Sequence, residues 1–488
     1  MIGVVTVAEM LRLEAEVDVP EFSLMRTAAF GLHVELLDIL RENFDSIQGR
    51  TVVGLIGPGN NGSDALWAMG LLSARGVKAI AIDTTQKRSH GFTDELFASN
   101  FGQWGKFEDI TYKVDLILDG IAGLRNLYPP ADDVLEFLLS RPEACVVAVD
   151  MPSCFDNDAA LPIDSNKVIN ADYTITFGNL KPCHVFDPAR SLCGEVRLVN
   201  LPIASPESSV ATLVVPSDIT KLLQELEIDA NKYSHGVLGV IAGSSMYAGA
   251  GALTLLGSQW GGSGYIQHVG PDHGEIPANV VRINLVEQFH EKINTVVFGP
   301  GVGIDTNSRA TLEALLEGSK TLLLDADAIT MLSTDTTLAS KLEKRSALTI
   351  LTPHHGEASR LALSLGIDVS KSVHVWVSEV AQRLNALVSY KGAHGFVALP
   401  DGSYLVCDTT SSALATAGTG DVLSGLMGSF IARQEPQVQH ELAYAAIGAV
   451  MIHSLAAELA LDKGPYPTAV DIAFHVRSAM ALLRESHE

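Results

Sequence analysis

Basic residues are scarce in this chain: Lys and Arg total 33 against 57 Asp and Glu, a formal charge of −24. That balance repels nucleic acid and anionic membrane surfaces, so neither is expected as a partner. Any phosphate-bearing ligand must be held by local devices: a helix N-terminus, a glycine turn, a few lysines or a metal ion. Cysteine is sparse too. Cys145, Cys154, Cys183, Cys193 and Cys407 are odd in number and show no CxxC spacing. A disulfide framework and a structural zinc site are therefore not expected, and a reducing, cytoplasmic setting fits. The N-terminus has no basic region ahead of an apolar run and does not read as a signal peptide. No apolar run reads as long enough to span a bilayer.

The chain does contain ample apolar surface. Hydrophobic residues make up 47% of 488 positions, enough for two or three buried cores. Residues 8–42 have apolar residues at helical spacing. From residue 51, short β-branched runs (TVVGLIG, VKAIAID, VDLILDG, CVVAVDMP, ADYTITFG) alternate with amphipathic segments. This pattern predicts a parallel sheet between layers of helices, an α/β class. Residues 202–216 are rich in Pro and Ser and mark a boundary between domains 1–208 and 209–488. A second alternating series starts near residue 237 and ends in helices over 420–434 and 439–462.

The most informative stretch is 413–428, Ala-Leu-Ala-Thr-Ala-Gly-Thr-Gly-Asp-Val-Leu-Ser-Gly-Leu-Met-Gly. Gly418, Thr419 and Gly420 form a turn into a helix, and the backbone N–H groups of such a turn cradle anions. Asp421 stands at its mouth, poorly placed to bind phosphate and well placed to take a proton from a hydroxyl. An anion hole beside a base suggests phosphoryl transfer from a nucleotide to an alcohol. Four segments join it. GSSMYAGAGAL at 243–253 puts small residues at a strand-to-helix turn, and Gly-Pro-Gly-Val-Gly at 299–303 is a second backbone-lined turn. The others are LTPHHGE at 351–357 and Lys391-Gly392-Ala393-His394-Gly395, where Lys391 meets phosphates as a point charge. His354 and His355 lack partners at metal spacing, so zinc is not expected. Asp325 and Asp327, in LLLDADAIT, read as caps of the following helix.

The first half has its own glycine turn, Gly-Pro-Gly-Asn-Asn-Gly-Ser-Asp at 57–64. Gly57, Gly59 and Gly62 satisfy GxGxxG, and Asp83 ends the next strand, which taken alone is a dinucleotide fingerprint. Pro58, Asn60, Asn61 and Asp64 suit ligand or cation coordination better than bare backbone approach to a pyrophosphate. Asp119 and Asp150 end two later strands, where ligand crevices of open α/β sheets lie. Asn61, Asp119 and Ser153 are candidate oxygen ligands for a monovalent or divalent cation, with Asp150 free to act on substrate. Capping of helices and turns is the competing explanation for these side chains.

As an ordered set these motifs resemble the bifunctional NAD(P)H-hydrate repair enzymes, in which an NAD(P)HX epimerase precedes an ADP- or ATP-dependent NAD(P)HX dehydratase. GPGNNGSD, DGIAG and DMPS are similar to the epimerase motifs. GSSMYAGAGAL, GPGVG, LDADAI, LTPHHGE, KGAHG and TAGTGDVLSG are similar to the dehydratase set. The resemblance implies a Rossmann-like three-layer domain followed by a ribokinase-like domain. It implies that the second half phosphorylates the hydroxyl of the S epimer and eliminates phosphate, while the first half supplies that epimer from the R form. By resemblance, Ala250, Gly303, His354 and Asp421 face the hydrated cofactor, and Lys391–Gly395 with Gly418, Thr419 and Gly420 face the adenine nucleotide, which arrives with Mg2+. Asn60, Asn61, Gly62, Ser63, Asp64 and Asp150 contact the hydrated cofactor in the first half, and Asn61, Asp119 and Ser153 hold K+. A homo-oligomer and a preference for ADP are also expected from the family.

The chain departs from the family pattern chiefly in its first half. The usual GGDG is Gly62-Ser63-Asp64-Ala65, the usual PSG is Pro152-Ser153-Cys154, and the early motif is Leu24-Met25-Arg26-Thr27-Ala28-Ala29. A Cβ in place of a turn glycine opposes positive φ, which puts the first activity in question. The alternative is a ribokinase-like kinase of a small alcohol with a non-catalytic N-terminal domain. A nicotinamide dehydrogenase leaves the second half unexplained.

Overall fold

The β-branched runs of the first half become strands of one parallel sheet in the computed structural model, which describes residues 1–17, 23–85, 90–124, 129–223, 228–271 and 277–485. The chain divides into two units, Ile2–Val210 and Ala211–Glu488. In the first, the strand order is Glu195–Val199, Tyr173–Phe177, Cys145–Val149, Leu116–Gly120, Thr51–Ile56, Lys78–Asp83 and Gln103–Trp104. All neighbours are parallel. Thr51–Ile56 and Leu116–Gly120 are buried along their whole length, so they read as largely apolar runs broken only by Thr51 and Asp119. Helices Ser23–Asn43 and Asn60–Ser73 close one face through Leu32, Leu36, Leu66 and Met69. Val134 and Phe137 of helix Asp132–Leu139 close the other. The expected helix over 8–42 is two helices, Val7–Ala15 and Ser23–Asn43; residues 18–22 between them lie outside the described residues.

The chain moves from Thr51–Ile56 out to Lys78–Asp83, then returns to Leu116–Gly120 on the other side. Strand order therefore reverses between Thr51–Ile56 and Leu116–Gly120, the place beyond whose carboxyl ends open α/β sheets bind ligands.

The second unit repeats this logic. Val237–Ile241 has Tyr265–Val269 and Val280–Ile283 on one side. On the other side Thr295–Phe298, Thr321–Leu324, Thr349–Leu351 and Leu387–Tyr390 follow in order. All of these pair in parallel. Phe396–Ala398 then runs antiparallel to both Leu387–Tyr390 and Tyr404–Cys407. Here the reversal falls between Val237–Ile241 and Thr295–Phe298. Two strands escape the sequence reading. Val280–Ile283 is a half-exposed edge with Arg282 in it. Ala211–Val214 is the apolar end of the Pro/Ser-rich segment and pairs with Tyr404–Cys407.

Contrary to the expectation from sequence, one apolar segment is long enough for a bilayer. Helix Gln439–Leu461 meets the length and composition of a membrane span. Its side chains instead fill the core of the second unit: Leu442, Ile447, Met451 and Ile452 are buried with Leu405, Leu426 and Ile472. A core helix apolar on all sides passes the same test as a span.

Candidate active sites

Helix Thr419–Gln434 starts where Gly418 adopts φ +89°, a left-handed turn that admits glycine readily. A Cβ there would sit 2.4 Å from Leu253 Cδ1. The Thr419 hydroxyl bonds to the carbonyls of Leu414 and Thr416, both at 2.9 Å, and its N–H points to the Thr416 carbonyl at 3.4 Å. The Thr419 hydroxyl thus builds the turn. The N–H groups of Gly420 and Asp421, in the helix's first turn, carry no partner among the described residues. Lys391 arrives from the hairpin between Leu387–Tyr390 and Phe396–Ala398; a Cβ on Gly420 would be 3.3 Å from its Nζ. A lysine and two helix amides therefore share one place, the donor set of an anion site.

Lys391 is held there by Asp325. Its ammonium donates to Asp325 Oδ1 at 2.8 Å, and the Ser424 hydroxyl donates to Asp325 Oδ2 at 2.6 Å. Asp325 is 1% exposed. The cap reading of Asp325 is therefore overturned: its side chain joins Lys391 to the Asp421 helix. Asp327 does not cap either. Its Oδ2 accepts from the Gly303 N–H at 2.8 Å and so fixes the Gly299–Gly303 turn. Nothing lies within 4 Å of where a Gly303 Cβ would stand. Ala250 borders that turn, since a Cβ on Gly301 would come within 2.8 Å of its methyl group. The Gly243 N–H donates to the Pro300 carbonyl at 2.7 Å and ties the two loops across the strand reversal.

His354 caps helix His355–Ser364: its Nδ1 accepts from the Gly356 N–H at 3.0 Å, and its own N–H donates to Glu357 Oε2 at 3.0 Å. The imidazole is otherwise exposed, with its Nε2 3.5 Å from Glu357 Oε1. Gly392 and Ala393 are exposed, and His394 and Gly395 complete the hairpin loop. A Cβ on Gly392 would collide with the Tyr390 ring at 2.6 Å, so glycine there answers to packing as well.

Asp421 is half-buried among charges of its own sign. Burial first, then Asp325, with Asp327 and Glu357 behind it and Lys391 opposing, pushes its carboxyl up to about 7. A carboxylate poised there suits proton abstraction near neutrality.

In the first unit Asn61 sits in the first turn of helix Asn60–Ser73 and donates to the carbonyls of Ala122 at 2.8 Å and Val149 at 2.7 Å. This anchors the helix start over the ends of Leu116–Gly120 and Cys145–Val149. Ser153 Oγ donates to Asp119 Oδ1 at 2.7 Å and accepts from the Ala122 N–H at 3.1 Å; its N–H donates to Asp119 Oδ2 at 2.8 Å. Asn61, Asp119 and Ser153 thus meet around Ala122. Burial pushes Asp119 upward, and no cationic side chain pairs with it among the described residues. With the Asn61 amide NH2 spent on carbonyls, its Oδ1 is left as an acceptor, 3.0 Å from a notional Gly123 Cβ. An all-oxygen cluster with one buried carboxylate fits a hard, weakly charged cation.

Asp150 is partnered on one oxygen. Its Oδ1 accepts from Lys181 Nζ at 2.6 Å and from the Thr176 hydroxyl at 2.9 Å. Burial is the strongest influence and opposes its ionisation, but Lys181, His184 and the Thr176 hydroxyl together outweigh it and hold the carboxyl below its ordinary value. Asp64 behaves oppositely: burial, then the Asp150 charge, drive it well above the carboxylate range. Asn60 and Ser63 lie on the same turn, and the Ser63 hydroxyl meets His90 Nδ1 at 2.9 Å.

The departures at the glycine positions resolve unequally. Ser63 and Ala65 have ordinary helical backbone, so neither pays for positive φ. Cys154 does adopt φ +87°. The GxGxxG glycines serve the chain's own packing: a Cβ on Gly57 would be 1.8 Å from the Ile121 carbonyl, and one on Gly62 2.2 Å from the Gly57 carbonyl. Asp83 accepts from the Thr85 N–H in a local turn.

Lys181, Thr176 and Asp325 were the residues sequence reasoning missed or misassigned. Lys181, four residues beyond the end of the apolar strand Tyr173–Phe177, is the one signal in the sequence.

Comparison with known proteins assigns a family to each half of the chain. Residues 238–475 match the family model for NAD(P)H-hydrate dehydratase, and residues 21–183 that of the YjeF-related protein N-terminus. The bifunctional NAD(P)H-hydrate repair enzyme of Mycobacterium leprae is 33% identical over 472 residues, 95% of this chain and 96% of the relative. That of Mycobacterium tuberculosis is 33% identical over 421 residues, 86% of each. A ribokinase-like superfamily protein from Enterococcus faecalis aligns with a TM-score of 0.50 at 19% identity, over 57% of this chain and 99% of its own, a likeness of fold. The chain belongs to the family of bifunctional NAD(P)H-hydrate repair enzymes.

Proposed function

We propose that Ala211–Glu488 dehydrates the S epimer of NAD(P)H hydrate at the expense of an adenine nucleotide, and that Ile2–Val210 converts the R epimer to the S form. The observation that carries the reading is the placement of Asp421, a half-buried carboxylate of raised affinity for protons beside two helix amides and the Asp325-held Lys391. Asp421 takes the proton of the ring hydroxyl as its oxygen attacks the terminal phosphorus. The Gly420 and Asp421 N–H groups and Lys391 receive the charge that develops on the transferred group; loss of one such donor costs about 10²–10³ in rate elsewhere. The ester's C–O bond then breaks with its electrons on phosphate. The ring nitrogen lone pair fills the vacancy, and loss of a proton from the neighbouring carbon restores the double bond. Phosphorylation converts hydroxide, a poor leaving group, into a good one.

The Gly299–Gly303 turn, Ala250 and His354 border the space for the hydrated ring, and Lys391–Gly395 the space for the nucleotide. The carboxylates around Asp421 suit a nucleotide that arrives with Mg2+, which offsets phosphate charge when bound. ADP is the preferred donor. Asn61, Asp119 and Ser153 hold K+ in the first domain, where the ion neutralises the Asp119 carboxylate.

Product analysis tests the reading. The purified S hydrate, supplied with ADP or ATP and Mg2+, is expected to return reduced nicotinamide absorbance with release of inorganic phosphate. Accumulation of a stable phosphate ester instead would establish a small-alcohol kinase.

A further inference from the structure

Lys181 is 1% exposed, and nothing in the dehydration reaction uses it. Its ammonium donates to Asp150 Oδ1 at 2.6 Å, the Thr176 hydroxyl at 2.9 Å and the Phe177 carbonyl at 3.3 Å. A neutral imidazole locks both backbones. His184 Nδ1 accepts from the Lys181 N–H at 3.0 Å, so its proton is on Nε2, which donates to the Asp150 carbonyl at 2.7 Å. Asp150 itself stands at φ +67°, a left-handed conformation uncommon outside glycine. Asp64 comes from the other wall. It follows Asn61 by three residues and so shares its helix face; Asn61 is bonded to the carbonyl of Val149, immediately before Asp150. Asp64 is 6% exposed, and its Oδ1 has no hydrogen-bond partner. An unpartnered carboxyl oxygen buried in a ligand crevice awaits a group on the ligand.

We propose that Lys181 is a positioning residue of epimerisation: it fixes Asp150 as the proton acceptor and leaves Asp64 as the proton donor that together open and reclose the hydrated ring. This rests on the epimerase reading of the first domain. Hydration puts the hydroxyl on the carbon joined to the ring nitrogen, because that nitrogen stabilises positive charge there. The substrate is therefore a carbinolamine. Asp150 takes the hydroxyl proton, the oxygen electrons form a carbonyl, the carbon–nitrogen bond breaks, and the nitrogen takes the proton of Asp64. The freed carbon turns its other face. Nitrogen attacks it again, Asp64 recovers its proton from nitrogen and Asp150 returns one to oxygen. No water or redox partner is consumed. Two carboxyls whose surroundings drive their proton affinities apart divide the acid and base roles in this way.

The test uses the full chain and the purified R hydrate, with epimer ratio followed by NMR. Wild type, Lys181→Met and Asp64→Asn are compared, and fold is checked by circular dichroism. The charged or titratable groups around the pair are Lys181, His184 and Cys183 at Asp150, Glu14 at Asp64 and Arg190 at His184. Lys181→Met is expected to lower kcat about 10²-fold or more with KM changed little, and to move the acidic limb of kcat/KM upward by about one pH unit or more, because an opposite charge at this distance is worth 1–3. Asp64→Asn, which keeps shape but gives no proton, should lose a similar factor in kcat. A folded Lys181→Met with an unmoved acidic limb overturns the positioning role. A folded Asp64→Asn at full rate overturns the donor role. A wild-type chain that leaves the R hydrate unchanged overturns the epimerase reading itself, and this proposal with it.

Discussion

A carboxylate in the first turn of a helix ordinarily binds its proton weakly, because the unpaired N–H groups favour its charge. Asp421 does the opposite, since burial and the Asp325 carboxylate oppose that charge more strongly. Two consequences follow at the residue scale. The kcat/KM for dehydration should rise with pH through an apparent pKa near 7, as the base loses its proton. Stability should change in the other sense. The folded state holds this proton up to about 7, the unfolded chain only to about 3.8, so the folded state binds more protons between those values and stability falls as pH rises through them. Asp421→Asn should therefore raise the melting temperature of the second domain by roughly 2–4 °C above neutrality, an advantage that vanishes in acid; calorimetry across pH reads it. The residues that set this behaviour were only partly legible. Asp421 lies in a motif whose chemistry is local. Asp325 and Lys391 are 66 positions apart, and Asp150 and Lys181 31. Their pairing is decided by strand order, which spacing along one chain does not reveal.

At the scale of elements, the Gly418 turn is the part most sensitive to a single methyl group. Gly418→Ala forces a Cβ into a left-handed residue and against Leu253. It should cost about 1–2 kcal/mol in stability and weaken nucleotide binding by about tenfold, measured by chemical denaturation and by titration with ADP. Elements themselves were the most legible part of the chain. Fully buried strands such as Val237–Ile241, and Thr51–Ile56 after its first residue, are apolar throughout, a signal no loop imitates. Edge strands failed for the converse reason: Val280–Ile283 buries too little to impose a pattern. The glycine losses at Ser63 and Ala65 looked damaging because the motif reads as a turn. In the fold these positions are helical, and Ala65 faces Gly120, whose missing Cβ leaves room for it.

At the scale of the whole molecule, each domain has its own strand-order reversal, and the proposed reading gives each its own base. The two reactions should therefore separate by mutation. Asp421→Asn should leave conversion of the R to the S epimer at the wild-type rate, and Lys181→Met should leave dehydration of the S epimer intact; NMR of epimer ratio and absorbance of reduced nicotinamide read the two independently. The central claim is that Asp421 is the base for attack on the nucleotide. Its most direct test is the rate of reduced nicotinamide formation from the pure S hydrate with saturating ADP and Mg2+, wild type against Asp421→Asn, with ADP affinity measured on both. The account predicts a loss of about 10²–10⁴-fold in rate at nearly unchanged affinity. A variant that keeps most of its rate would contradict it.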